Sequence, residues 1–189
     1  MEKLALFGGQ PVYQEKHSLE DQWPVTSGED REAVERVFRN GHFTGLHDPE
    51  VEALEKEYAE YVGTRYAMAF GTGTSSLHAA VAASGLKPGD EVIVPALTFL
   101  ASATSVIQQL GIPVFADIDP KTYNIDPQSV ERCISNRTRA IMAVDLGGLP
   151  ADYPALKKIA EKHGLVLLSD AAHSMGARQN GKVSGSLAD

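Results

Sequence analysis

Asp170 and His173 are three residues apart in Asp170-Ala171-Ala172-His173, behind the apolar run Leu165-Val166-Leu167-Leu168. Such a run reads as a buried parallel strand. In open α/β sheets, ligands bind outside the carboxyl ends of the strands. A carboxylate delivered there, flanked only by two alanines, is placed to meet a cationic ligand. Asp170 fits equally well as a cap for the segment that follows. His173 has three readings of its own: it bonds a ligand oxygen, it holds Asp170, or it packs as a satisfied histidine.

Other apparent strand ends carry compatible pieces. Gly71-Thr72-Gly73-Thr74-Ser75-Ser76 lies between a strand pattern and a helix pattern. Its glycines allow close backbone approach, and the helix start offers N–H groups and a positive dipole end. With the hydroxyls of Thr74, Ser75 and Ser76 this makes a phosphate cradle; the plainer reading is a turn and cap. It is not the dinucleotide fingerprint, because Ser76 stands where the third Gly belongs, and no Gly-Lys-Ser/Thr follows to make a P-loop. Phe99, just past Pro95-Ala96-Leu97-Thr98, either stacks on a flat ring or is ordinary core. Asp145-Leu146-Gly147-Gly148 ends a further strand, where the glycines keep the edge open and Asp145 faces a ligand or satisfies local backbone N–H groups. Phosphate donors, a stacking ring and a carboxylate suit one ligand class. Pyridoxal 5'-phosphate has a phosphate, a flat pyridine ring, and a ring nitrogen that must stay protonated to act as an electron sink.

The elements that must position these residues follow from periodicity and turn chemistry. Residues 1–25 show no clear period and read as an arm that packs on something else, such as a second subunit. Ser27, with Asp30 in the capping-box position, starts a helix through Ala33, Val34, Val37 and Phe38, which Asn40-Gly41 stops. Asp48-Pro49 opens a second helix, with Val51, Leu54, Tyr58, Tyr61 and Val62 on its apolar face, ended by Gly63. Strands are then expected at 66–70, 91–95, 113–118, 139–144 and 165–169. Helices are expected at 75–84, 98–110, 126–134 and 151–162. Asn180-Gly181 predicts a turn or hairpin. This β-α alternation with short connections predicts an α/β fold, mostly parallel, with helices on both faces of the sheet. Residues 26–189 form the large domain in this reading. A sheet of this kind normally runs on past Asp189, so the chain is expected to be the amino-terminal part of a larger one.

The 189 residues suffice for one domain with a substantial core. A net charge of −8 argues against a nucleic-acid surface or a basic membrane segment. A single cysteine, Cys133, rules out an internal disulfide and a cysteine metal cluster, as suits a reducing cytoplasm. The start, MEKLALFGGQPV, lacks the pattern of a signal peptide, and no apolar run reaches the length of a membrane span.

Taken together, FGTGTSSLHAAV, KPGDEVIVPALTFLASA, PVFADIDPKTYNIDP and DAAHSMGA resemble the DegT/DnrJ/EryC1/StrS family of sugar aminotransferases. The upstream GHFTG and PEVEALEKEYAEYVG resemble the same family. The resemblance implies a fold-type I pyridoxal-phosphate enzyme, a homodimer with its site at the subunit interface. It implies transfer of an amino group, glutamate being the usual donor, to a keto group of a nucleotide-linked sugar. It implies phosphate contacts from the turn Gly73-Thr74-Ser75, stacking by Phe99, Asp170 on the pyridine nitrogen, and His173 near the ring oxygen. The resemblance places the family's small carboxyl-terminal domain and its Schiff-base lysine in sequence expected past Asp189. Lys182, in the Asn180-Gly181 turn, is read as a solvated side chain and not that residue. Asp145-Leu146-Gly147-Gly148 departs from the commoner family pattern of an aromatic or polar residue before one Gly. Two alternatives accompany the resemblance: a dehydratase of the same family, in which His replaces the lysine, and a non-catalytic fragment.

Overall fold

The computed structural model describes residues 3–10, 24–41, 43–45 and 47–189. Most of the predicted arm, and His42 of the GHFTG motif, lie outside the described residues. Two compact units divide at Asp48/Pro49.

The first unit holds a 3-10 turn at Ala5–Phe7 and helix α1, Gly28–Asn40. The capping box of α1 is complete: the Asp30 N–H donates to Ser27 Oγ at 3.2 Å, and the Ser27 N–H donates to Asp30 Oδ2 at 2.6 Å. Gly41, at φ 69°, closes the helix in the left-handed conformation that a side chain would disfavour. Phe38 meets Phe43 edge to face, with centroids 5.6 Å apart.

The second unit begins with α2, Pro49–Val62, and continues as α3 (Gly73–Ala83), β1 (Glu91–Pro95), α4 (Leu100–Gln108), β2 (Ile112–Ala116), α5 (Pro127–Cys133), β3 (Thr138–Val144), α6 (Tyr153–His163) and β4 (Val166–Asp170). The four strands form one parallel sheet in the order β2-β1-β3-β4. Alternate residues of β1, β3 and β4 enter separate cores. Ile93, Ile141, Ala143 and Leu167 pack with Val130 of α5 and with Tyr153, Leu156 and Ala160 of α6. Val92, Val94, Ala140 and Met142 pack with Val81 of α3 and with Ala103 and Val106 of α4. Burying both faces explains why these strands are almost continuously apolar. A hairpin follows, β5 (Arg178–Gln179) and β6 (Lys182–Val183), turned by Asn180 and Gly181 at φ 52° and 80°.

The strand expected at 66–70 is not formed: the stretch belongs to no ladder among the described residues. Tyr66 and Met68 are each 73% exposed. β-branched and aromatic patterning makes a strand only where a neighbour supplies ladder hydrogen bonds. Here the Ala69 N–H donates instead to a side chain, Glu55 Oε1, at 2.8 Å. Other elements shift at their ends. α3 starts at Gly73, two residues before the expected Ser75, because Thr72 caps it. α4 starts at Leu100 instead of Thr98, because Phe99 is extended at φ −68°, ψ 143°. β2 ends at Ala116, and Ile118 makes an isolated antiparallel bridge to Ile125.

Candidate active site

The carboxyl ends of β1, β3 and β4 open on one side of the sheet, and Val144 pairs with Asp170 at the last register position. A cavity of about 630 Å³ lies there, lined among others by Gly73, Thr74, Phe99, Asp170 and His173. Residues from three separate connections, spanning about a hundred positions of sequence, therefore face one space.

The amino end of α3 forms one wall. Thr72 Oγ1 accepts from the Ser75 N–H at 3.1 Å, and the Ser76 N–H returns to Thr72 O at 3.1 Å. The first-turn N–H groups of Gly73 and Thr74 have no intrahelical acceptor. With the helix dipole they make this wall attractive to an anion. Ser75 is less available than its position in the motif suggests, because its hydroxyl lies 3.0 Å from Thr72 Oγ1. Ser76 lines the cavity in its place, with its hydroxyl donated to Gly73 O at 2.8 Å.

Phe99 is 71% exposed, so it is not core; its ring borders the cavity from the cap position of α4. Asp170 is only 7% exposed. Its Oδ2 accepts from the Ser102 hydroxyl at 2.7 Å, and its Oδ1 has only a long contact, 3.3 Å, from the Ala172 N–H. Ser102 was not visible as a site residue in the sequence. The available signal was the spacing of Ser102 and Ser105, three residues apart among the small and apolar residues at the start of α4. Buried hydroxyls there need partners.

His173 is exposed, and its Nδ1 lies 3.4 Å from the Gly147 N–H, the long end of the hydrogen-bond range. An accepting Nδ1 places the ring proton on Nε2, which is then a donor. Gly147 and Gly148 do not line the cavity, as an open-edge role would require. They turn the chain: Gly148 has φ 91°, and a Cβ there would sit 3.2 Å from the His173 carbonyl oxygen. Lys182 lies exposed on β6.

Asp145, fully buried, does not face the cavity. Its Oδ1 accepts from the Ala151 N–H at 3.0 Å and the Tyr153 hydroxyl at 2.8 Å. Its Oδ2 accepts from the Ser174 and Ser184 hydroxyls at 2.8 and 2.5 Å. Burial first, and then the Asp145 charge, push the Tyr153 phenol far above its ordinary ionisation range, so it remains a donor. The Asp145 N–H also donates to Asp170 O at 3.1 Å, and Ser169 Oγ lies 2.5 Å from the Tyr153 hydroxyl. This cluster braces the end of β4 and the loop that carries His173. Tyr153, Ser174 and Ser184 escaped the sequence reading, since nothing local marks them as partners of Asp145.

The arrangement suits a ligand with an anionic end, a flat ring and a protonated ring nitrogen. Among known proteins, a UDP-2-acetamido-2-deoxy-3-oxo-D-glucuronate aminotransferase of Pseudomonas aeruginosa is 44% identical over 82% of this chain and 42% of its own length. A GDP-perosamine synthase of Caulobacter vibrioides is 47% identical over 72% of this chain and 37% of its own. A Streptococcus pneumoniae protein solved in PLP and PMP forms superposes with a TM-score of 0.82 at 31% identity, covering 88% of this chain and 45% of that one. The chain thus spans less than half the length of these relatives. No described helix is long and apolar enough to cross a membrane. Residues 24–189 match the DegT/DnrJ/EryC1/StrS aminotransferase family, and the chain belongs to it.

Proposed function

We propose that this chain carries the cofactor-binding half of a cytoplasmic, pyridoxal-phosphate-dependent aminotransferase. The enzyme moves an amino group from an amino acid, glutamate by family resemblance, to a keto group of a nucleotide-linked sugar. The observation that carries the reading is Asp170: a nearly buried carboxylate at the cavity wall, one oxygen committed to Ser102 and the other open to a stronger donor. The relatives of Pseudomonas aeruginosa and Caulobacter vibrioides, whose names contain UDP and GDP, support the substrate class.

The residues present fit the cofactor. Gly73 and Thr74 would hold the phosphate on the first turn of α3; Ser75 joins them only by turning its hydroxyl away from Thr72. Phe99 offers its exposed ring as a platform. Asp170 would accept from the ring N–H and keep that nitrogen charged. His173 would donate from Nε2 toward the ring oxygen. When bound, pyridoxal phosphate supplies the carbonyl that takes up the amino nitrogen and the ring that withdraws electrons. The 71% exposure of Phe99 and 77% of Met175, both on the cavity wall, support a second subunit closing the site.

The test uses the complete gene product. Borohydride treatment after loading with pyridoxal phosphate is expected to leave a covalent adduct, and a UDP-linked keto sugar with glutamate is expected to yield the amino sugar. A product lacking a hydroxyl, formed without an adduct, would point to the dehydratase instead. Failure to take up the cofactor would overturn the reading.

A further inference from the structure

We propose that Ser102 is the positioning residue for the cofactor-facing carboxylate: its hydroxyl, backed by Thr98, fixes one oxygen of Asp170 so that the other is presented to a pyridinium N–H. The inference rests on the pyridoxal-phosphate reading above.

Ser102 is fully buried, between the buried Ala101 and Ala103 of α4. Alanine would serve helix and core at that place as well, so the hydroxyl needs a reason. Its partners supply one. The Ser102 hydroxyl lies 2.7 Å from Asp170 Oδ2 and 2.7 Å from Thr98 Oγ1. A carboxylate can only accept, so the single Ser102 proton goes to Asp170, and Thr98 must donate to Ser102. The direction of the relay is thereby set: Thr98 to Ser102 to Asp170. A chain of donors ending on an anion strengthens each bond in it.

The relay makes the two carboxylate oxygens inequivalent. Oδ2 is committed, while Oδ1 meets only the Ala172 N–H at 3.3 Å and keeps capacity for a charged donor. The terminal torsion of an aspartate is broad and roughly two-fold, so without Ser102 the carboxylate turns freely and leaves Oδ2 unpaired in a buried place. The relay also joins two parts of the site. Thr98 precedes Phe99, and the Ser102 N–H donates to Phe99 O at 3.1 Å. One turn of chain thus sets both the ring platform and the carboxylate orientation.

The experiment titrates the complete gene product with pyridoxamine 5'-phosphate labelled with nitrogen-15 in its ring. This probe needs no covalent attachment. Binding is read by its fluorescence and ring protonation by its nitrogen shift. The wild type is expected to bind with the ring nitrogen at the pyridinium position. Ser102→Ala is expected to bind on the order of tenfold more weakly, as for loss of a charged hydrogen bond, with the nitrogen signal moved toward neutral pyridine. Ser102→Thr, which keeps the hydroxyl, is expected to restore both readouts. Thr98→Val removes only the backing donor and is expected to move both in the same direction, by roughly threefold in affinity; it serves if Ser102→Ala does not fold. A lowered melting temperature with affinity and nitrogen shift unchanged, in whichever variant folds, would overturn the proposal alone. A wild type that binds no probe would overturn the cofactor reading and the proposal with it.

Discussion

Replacing Asp145 by alanine removes a fully buried carboxylate that accepts from four donors: Ala151 N–H and the hydroxyls of Tyr153, Ser174 and Ser184. Some of these can pair again. Ser174 and Ser184 are 2.6 Å apart, and Tyr153 lies 2.5 Å from Ser169. The Ala151 N–H and at least one hydroxyl proton are then left without an acceptor, at about 1–3 kcal/mol each. With the lost charge-assisted bonds the expected cost is about 3–5 kcal/mol, a large share of a typical stability of about 5–15 kcal/mol. Asp145→Asn should be milder, about 1–2 kcal/mol. Its oxygen still serves Ala151 and Tyr153, and its amide donates to two hydroxyls that can rotate to accept. Urea unfolding followed by circular dichroism measures both, and a thermal melt should show the alanine variant lower by roughly 10 °C. An alanine variant within about 1 kcal/mol of wild type, or an asparagine variant as damaging as alanine, would refute the network as the brace of this sheet edge.

Three further outcomes follow from the same geometry. Asp170→Asn should abolish aminotransfer by the complete gene product while leaving its circular dichroism spectrum intact, because the amide keeps the shape but loses the charge; near-normal turnover would sink the assignment. Phe99→Ala should weaken pyridoxal phosphate binding roughly fivefold, in line with about 1 kcal/mol for a stacked pair, and leave the urea midpoint unchanged because the ring is mostly exposed. The raised ionisation of Tyr153 implies an alkaline limb. In the unfolded chain the phenol ionises near its ordinary value of roughly 10, while the folded protein holds it protonated above that. Its contribution is therefore complete below about pH 10 and declines as the pH rises further. Tyr153→Phe should flatten that decline in urea midpoints taken from about pH 8 to pH 11, and an unchanged slope would count against it.

Local chemistry was legible where one segment carries its own instructions. Ser27 with Asp30, Asp126 before Pro127, and Asn180-Gly181 each specify a start or a turn from within a few residues, and each forms as expected. The strand expected at 66–70 is the counterexample. Its Tyr-Ala-Met-Ala-Phe pattern is strand-like, but ladder hydrogen bonds come from a neighbour, and no described strand lies beside it. Asp145 shows a second limit. Of its two readings, ligand or local backbone, the local one holds at the Ala151 N–H, but two of its hydroxyl partners arrive from 29 and 39 residues away.

The sequence by itself determined most of the alternation of strands and helices, and it put Asp170, Thr74 and Phe99 at the carboxyl-end side of the sheet, where they line one cavity. Periodicity, capping and the direction of parallel strands are enough for this, because each acts over a few residues. Only the tertiary structure decided what each group meets. It exposed Phe99 at the cavity mouth, set Ser102 against Asp170 across 68 residues of sequence, and gave Asp145 to the interior. Such pairings depend on the sheet order β2-β1-β3-β4, which brings β4 beside β3 and α4 over the end of β4. A chain read in order carries no local mark of which distant hydroxyl will stand against which carboxylate.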